Sequence, residues 1–121
     1  MIPAVVKWQI ITPQPDVVAA YYKRLFGWSV VDANALGYRE MRSRGTRGVD
    51  GGVGPSPAGA PSFVRLFVEV ADVGVAVAEA AQLGASVLVP RSVLPDGDIM
   101  AILVDPAGVS FGLCEERRTG S

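Results

Sequence analysis

Alternating apolar and polar residues open each half of the chain and predict two strands of the same design. In the first strand, Val6, Trp8 and Ile10 point to one side, and Lys7 and Gln9 point to the other. The second strand places Val64, Leu66, Val68 and Val70 on one side and Arg65, Phe67 and Glu69 on the other. Because an apolar side needs a packing partner, each strand is expected to lie against the helix that follows it.

Apolar residues at helical spacing follow each strand and predict one helix in each half. The apolar face of the first helix consists of Val18, Tyr22 and Leu25, and that of the second of Val73, Ala76, Val77, Ala80 and Leu83. Asp72 is placed to cap the N-terminus of the second helix. Gly27 and Gly84 stand where a left-handed residue would end each helix, so both helices are expected to stop there.

Three short strands are expected after each helix. They fall near residues 28–33, 37–41 and 46–53 in the first half, and near residues 85–94, 98–104 and 109–114 in the second. The two halves therefore have the pattern of one βαβββ module written twice. Apolar pairs such as Val6 with Val64 and Leu25 with Leu83 align at a constant offset, which marks an internal repeat.

Length indicates a single domain, which the predicted helices and strands make α+β, and composition disfavours several classes of function. At 121 residues the chain has room for one core, shared by half-modules at about residues 1–53 and 62–116. Residues 54–61, rich in Gly and Pro, are interpreted as a linker, because a phosphate-binding loop would need Gly-Lys-Ser/Thr at the start of a helix. A net charge of -1 gives no general attraction to nucleic acid or anionic membranes. No apolar run approaches the ~18 residues of a membrane span.

Two further features bear on the cellular compartment and on binding to nucleic acid. The lone Cys114 and the absence of a signal-peptide pattern favour a reducing cytoplasm. Arginines 39, 42, 44 and 47 interleave with a predicted strand and lack the aromatic partners of a nucleic-acid site. They are interpreted as the charges of a solvated edge strand.

Several segments in order resemble the glyoxalase, bleomycin-resistance and extradiol dioxygenase superfamily, also called the vicinal oxygen chelate proteins. They are YYKRLFGW, GGVG, VEVADV, LGA and DPAGVSFGL, and together they extend over nearly the whole chain. The resemblance implies that the two modules form an incomplete barrel around a concave pocket, often beside a second subunit. The high apolar fraction, 50%, also favours a homodimer, which we expect.

The resemblance further implies metal ligands, normally His, Gln or Glu on the first strand of each module and a Glu on the last strand. The matching positions here are Lys7, Arg65 and Gly112, none of which is an ordinary ligand. The chain contains no histidine, the commonest metal ligand and general base. The carboxylates at 40, 69, 98, 115 and 116 have no recognisable ligand spacing, and the last two are expected in a fraying tail. We therefore expect no metal and no other cofactor.

The residues predicted to bind a ligand on the concave face are Lys7, Gln9, Arg65 and Phe67, with Met100 and Tyr38 as neighbours. Two cations beside an aromatic ring suit a small molecule with a carboxylate or phosphate and a flat apolar part. In the alternative interpretation, Lys7 and Arg65 form ion pairs with Glu69, Glu40 or a partner subunit. Cys114 has no histidine to activate it and is interpreted as an ordinary thiol of the core.

Two main classes of function follow. The first is a protein that binds a small molecule without a metal, as in the bleomycin-resistance branch. The second is an enzyme of the same superfamily, either a metal-independent lyase or isomerase or a metal enzyme with unusual ligands. Acid or base groups for such an enzyme would come from Lys7, Glu40, Glu69, Asp98 or a tyrosine. A dimerisation module with a vestigial pocket is a third interpretation. The lack of the usual catalytic groups favours binding.

Overall fold

The computed structural model describes residues 2–43 and 47–115. Their elements, in chain order, are β1 (Ala4–Thr12), α1 (Pro15–Phe26), β2 (Ser29–Val30), β3 (Arg39–Arg42), β4 (Gly51–Pro55), β5 (Phe63–Val70), α2 (Val73–Gln82), β6 (Ser86–Val93), β7 (Ile99–Val104) and β8 (Ser110–Glu115). The order βαβββ occurs twice, which confirms the predicted modules and the α+β class. The chain forms two compact units, one of Val6–Arg65 and one that joins Met1–Val5 with Leu66–Ser121.

In the unit Val6–Arg65, strands lie in the order β2-β3-β4-β1, and β1 runs parallel to β4. Helix α1 packs on one face of these strands. The buried residues Ala19, Met41 and Val53 form the centre of this core, and Trp8 and Ile10 pack against them. The predicted apolar side of the first strand is thereby confirmed at Trp8 and Ile10.

In the other unit the order is β5-β8-β7-β6, with β5 parallel to β8. The buried core residues are Val70, Val73, Ala101, Leu103 and Leu113, and Ala76, Val77 and Ala80 of α2 pack against them. The same arrangement of helix and strands thus occurs in both modules, as the internal repeat predicts.

The predicted helix ends are confirmed. The Asp72 side chain accepts a hydrogen bond from the Val75 amide at 3.0 Å and so caps α2. Gly27 follows α1 with φ 73°, and its amide donates to the Lys23 carbonyl. Gly84 has φ 104° and follows Leu83, which caps α2 and is 74% exposed rather than part of the apolar face.

The apolar side predicted for the second strand is wrong over the first half of β5. Val64 and Leu66 are 62% and 49% exposed, whereas Arg65 and Phe67 are 7% and 1% exposed. Only Val68 and Val70 belong to the core beneath α2. The helix therefore covers the C-terminal half of the strand, and alternation alone could not show where that cover ends.

The arginine-rich segment is not the predicted edge strand. Strand β3 pairs with β2 on one side and with β4 on the other. The Arg39 side chain is only 12% exposed, although that of Arg42 is 58% exposed. Arg44 lies outside the described residues, as does Thr46, where the next strand was expected to begin.

The element boundaries differ from the predicted ones mainly around the proposed linker. Strand β4 begins at Gly51 and ends at Pro55, two residues inside the segment 54–61. Strand β2 has only two residues. Neither helix in the described part of the chain is long and apolar enough to cross a membrane.

Candidate functional site

Polar side chains share the face of the unit Val6–Arg65 that lies opposite α1. Gln9 and Glu40 both pair with Gly52, so these three residues are adjacent across β1, β4 and β3. Lys7 and Tyr38 line a cleft of about 340 Å³ on this face. The other lining residues are Val6, Glu40, Arg42, Asp50 and Gly51. Within this unit, the strands thus bring the predicted Lys7 and Gln9 onto one face with Tyr38.

The Tyr38 ring is closely packed on this face. Its ring lies over Gly52, where an added Cβ would overlap the phenol, so only glycine leaves it room. Burial raises the pKa of Tyr38 to about 12, with a smaller increase from nearby Glu40, while the hydrogen bond with the Gln9 side chain opposes the shift. The phenol therefore stays neutral near pH 7, and its O–H can act as a hydrogen-bond donor.

The charged groups around the cleft are partly paired. The Arg42 guanidinium lies 2.8 Å from the Glu40 carboxylate. The Asp50 carboxylate accepts a hydrogen bond from the Ser43 amide at 3.0 Å. Glu40 therefore has a cationic partner in Arg42. In the alternative interpretation, in which Lys7 pairs with Glu40, Lys7 would have to share this carboxylate with Arg42.

Arg65 is a nearly buried cation on β5. Its guanidinium lies 5.1 Å from the centre of the Phe63 ring, an arrangement that offsets part of its lost hydration. Burial lowers the pKa of Arg65 below its usual value. The convergence of Arg65 and Lys7 on one anion stays a prediction.

Phe67 lies on β5 directly beside Gly112 of β8. A Cβ at residue 112 would overlap the Phe67 ring, so the ring covers the position where the superfamily resemblance implies a glutamate ligand. Met100 pairs with Cys114, two residues from Gly112, and thus belongs to the same sheet face as Phe67. With 1% exposure, Phe67 offers little ring surface to a ligand.

The two modules contain equivalent glycines beneath aromatic rings. Gly52 pairs with Gln9, and Gly112 pairs with Phe67, which is the repeat counterpart of Gln9. The sequence interpretation missed Gly52. At the offset of 57 residues that relates Gly27 to Gly84, Gly52 would align with Val109, so the repeat alignment pairs it with Gly112 only after a further shift of three residues.

The described residues offer no obvious metal centre. No three His, Cys, Asp or Glu side chains within residues 2–43 and 47–115 lie close enough together to hold an ion. Glu115 closes β8 and accepts a hydrogen bond from the Val73 amide at 2.9 Å, so its placement in a fraying tail was wrong. Glu116 lies outside the described residues.

Cys114 is half-buried, with its Sγ 3.8 Å from the Val68 carbonyl oxygen. It lies on the side of β8 that also carries Gly112, opposite the core residue Leu113. The thiol is therefore beside the core of its unit rather than at its centre.

Two βαβββ modules with a polar face on the first define a protein of the vicinal oxygen chelate class. A model of the glyoxalase-like domain matches residues 5–114. The chain belongs to this glyoxalase-like family. Comparison with curated protein sequences gives no significant match.

Solved structures of the same fold cover nearly the whole chain. A hypothetical protein from Bacillus halodurans C-125 has a TM-score of 0.71 at 11% identity, covering 100% of this chain and 99% of that one. Methylmalonyl-CoA epimerase from Mycobacterium tuberculosis has a TM-score of 0.70 at 14% identity, covering 94% and 88%. A glyoxalase/bleomycin resistance protein/dioxygenase superfamily member from Vibrio splendidus 12B01 has a TM-score of 0.66 at 16% identity, covering 95% and 100%. These similarities confirm the fold class.

Proposed function

We propose that this protein binds a small molecule with an anionic group and a flat apolar part, and that it does so without a metal. One observation carries the proposal. The positions that match the superfamily's metal ligands hold Lys7, Arg65 and Gly112, and the Phe67 ring occupies the space above the glycine. Two of these positions therefore supply cations in place of ligands, and the third has no side chain.

The polar face supplies donors to an anion, because its two carboxylates already have partners: Glu40 pairs with Arg42, and Asp50 accepts from the Ser43 amide. Lys7 is half-buried in the cleft beside the neutral Tyr38 phenol, and the Gln9 side chain forms a hydrogen bond with that phenol. A carboxylate or phosphate could accept hydrogen bonds from Lys7 and Tyr38, while the Tyr38 ring gives an apolar surface beside them. Arg65 adds a second cation in the same unit.

Metal content gives the first test. Elemental analysis of protein dialysed without chelator should find no stoichiometric transition metal, and chelator should leave the thermal midpoint unchanged. Near one Zn, Ni, Fe or Mn per chain would overturn the metal-free part of the proposal.

Binding gives the second test, with benzoate and phenyl phosphate as anionic probes and benzyl alcohol as their neutral counterpart. Calorimetric titration should detect an anionic probe and little binding of the alcohol. Lys7→Met and Arg65→Met should each weaken binding by about 2–5 kcal/mol, the usual effect of truncating one side of a buried charge pair. Arg24→Met, which removes an exposed arginine from α1, is the matched control.

The same variants distinguish the structural alternative. If Arg65→Met chiefly lowers the free energy of unfolding and leaves probe binding unchanged, Arg65 pairs within the protein and the proposed site is wrong. Urea unfolding of each variant, run beside the titrations, separates the two outcomes.

The enzyme alternative has one observation in its favour, because Lys7, Tyr38 and Glu40 line the same cleft and could move a proton. The probe is methylmalonyl-CoA, the compound in the name of the epimerase from Mycobacterium tuberculosis whose fold this chain shares. Deuterium uptake from heavy water into that thioester, followed by NMR, would support isomerisation if it is lost in both Tyr38→Phe and Glu40→Gln. Absence of uptake would exclude this thioester as a substrate and would count against the enzyme alternative.

A further inference from the structure

A second cleft lies on the opposite face of the same strands, between α1 and strands β2 and β3. It encloses about 340 Å³, and its charged lining residues are Asp16, Lys23, Asp32 and Arg39. Arg39 shares its side of β3 with the core residue Met41, whereas Lys7 and Tyr38 belong to the other face. This cleft is therefore separate from the polar face described above.

Arg39 is a nearly buried cation in this lining, and one of its donor groups has no partner within the described part of the chain. Its side chain is 12% exposed, and its Nη2 lies 3.2 Å from the Asp16 carboxylate, whose own side chain is 92% exposed. Its Nη1 is buried and has no hydrogen-bond partner among the described residues. A buried donor on a charged group is costly to leave unsatisfied, so an acceptor from outside the chain would complete the site.

The charges of the cleft restrict what that acceptor can be. Two carboxylates and two cations line it, so a dianion would meet as much repulsion as attraction. A molecule with one carboxylate and one ammonium group complements both signs. The remaining lining residues, Ala19, Ala20, Val30, Val31 and Ala33, are small or apolar and suit an aliphatic side chain.

We propose that this cleft binds an aliphatic α-amino acid as its zwitterion. The carboxylate of the ligand accepts a hydrogen bond from the Arg39 guanidinium, which turns its Nη1 toward the cleft on binding, and the ammonium group faces the carboxylates of Asp16 and Asp32. The proposal does not depend on the anion site at Lys7 and Arg65, because it uses other residues on the other face.

The test uses L-leucine and two molecules that each carry half of its charge, 4-methylpentanoate and isopentylamine. Calorimetric titration at equal pH and ionic strength should show L-leucine binding at least tenfold more tightly than either. No binding of L-leucine would show that the cleft is not an amino-acid site. Equal binding of 4-methylpentanoate would reduce the site to a simple anion site. Either result overturns the proposal.

Variants assign the binding to this cleft. Arg39→Met should weaken L-leucine binding at least tenfold, whereas Arg42→Met removes an exposed arginine of the same strand and should leave it unchanged. Asp32→Asn, at an exposed position, tests the ammonium contact even if Arg39→Met does not fold. It should weaken L-leucine binding without weakening that of 4-methylpentanoate. An unchanged affinity in Asp32→Asn, or in a folded Arg39→Met, would refute the assignment.

Discussion

Only a glycine at position 112 leaves room for the Phe67 ring, because any Cβ there would overlap ring atoms. Gly112→Ala should therefore destabilise the fold by about 1–3 kcal/mol, the usual cost of overpacking a filled site. The measurement is the free energy of unfolding from urea denaturation. Phe67→Leu in the same chain should recover part of the loss, since a smaller side chain leaves room for the methyl group.

Gly74→Ala is the control for that substitution. Gly74 lies in α2, and the nearest atom to an added Cβ is a carboxylate oxygen of Asp72 at 3.3 Å. Alanine in a helix is more stable than glycine by about 0.5–1 kcal/mol, so this change should be neutral or stabilising. A Gly112→Ala protein as stable as the Gly74→Ala protein would show that Phe67 does not fill the space above residue 112.

Tyr38 predicts a loss of stability at alkaline pH. Its pKa is raised to about 12 in the folded protein, chiefly by burial, against about 10 in an unfolded chain. Between these values the unfolded state has lost the phenolic proton and the folded state has kept it, so the free energy of unfolding falls as pH rises. The decrease attributable to Tyr38 should be about 1–2 kcal/mol, because partial burial reduces the full effect of the shift.

Tyr38→Phe isolates that contribution. Urea unfolding of both proteins from pH 9 to pH 12 should give a flatter curve for the variant, and the difference between the curves is the measured quantity. Phenolate absorbance of the folded wild type gives an independent titration of the tyrosines. If the two stability curves run parallel, Tyr38 ionises as easily in the folded state as in the unfolded one.

The sequence predicts properties that follow from the type of residue at a position. It does not predict properties that follow from how deeply the residue is buried. Lys7, Arg65 and Gly112 indicate from the sequence alone that the usual ligands are absent. Arg39 and Arg42 look alike in the sequence, yet Arg39 faces α1 and is nearly buried while Arg42 is exposed. Alternation in β3 puts Arg39 on the side of the core residue Met41 and Arg42 on the other side, but the local pattern does not show that α1 covers Arg39.

At the scale of elements, two carboxylates from different parts of the unit accept hydrogen bonds from the first amides of α2. Asp72 caps the Val75 amide, and Glu115 of β8 accepts from the Val73 amide. Asp72→Ala should lower the free energy of unfolding by about 0.5–2 kcal/mol, because it leaves a helix N–H group without its acceptor. Thermal or urea unfolding measures the change.

Glu79→Ala provides the comparison within the same helix. Glu79 is exposed and lies beyond the first turn, so its loss should change stability by less than about 0.5 kcal/mol. Equal effects of the two substitutions would argue that the Asp72 cap contributes nothing specific.

Element boundaries were predictable where a residue type imposes them. Gly27 and Gly84 adopt positive φ at the two helix ends, and Asp72 caps α2, as their chemistry indicates. Strand β4 was placed less well, because GGVGP offers almost no side-chain alternation to read. Its glycines accommodate the rings of Trp8 and Tyr38, a requirement set by other strands.

At the scale of the whole molecule, the internal repeat predicted the βαβββ order of both modules and the fold class. The ligand remains a proposal, because proteins of this fold at 11% to 18% identity include different kinds of protein and share only the architecture. Function therefore has to be argued from the cleft residues rather than from the fold.

The exposed apolar surface of the unit Val6–Arg65 supports the predicted homodimer. Val17, Tyr21 and Val64 are 62%, 59% and 62% exposed and line one groove of about 360 Å³. Apolar side chains gathered in this way gain stability when a symmetric copy covers them. Sedimentation equilibrium at micromolar concentration should therefore give twice the monomer mass of 12.7 kDa.

A charge in the groove should dissociate this dimer. Val64→Lys places an ammonium group among apolar side chains that the second copy would cover, and its desolvation opposes association. Val109→Lys changes a valine of similar exposure, 59%, at a turn that does not line the groove and should leave the dimer intact. A wild-type mass that stays monomeric to high concentration would contradict the prediction. A Val64→Lys protein that remains dimeric would place the interface on another surface.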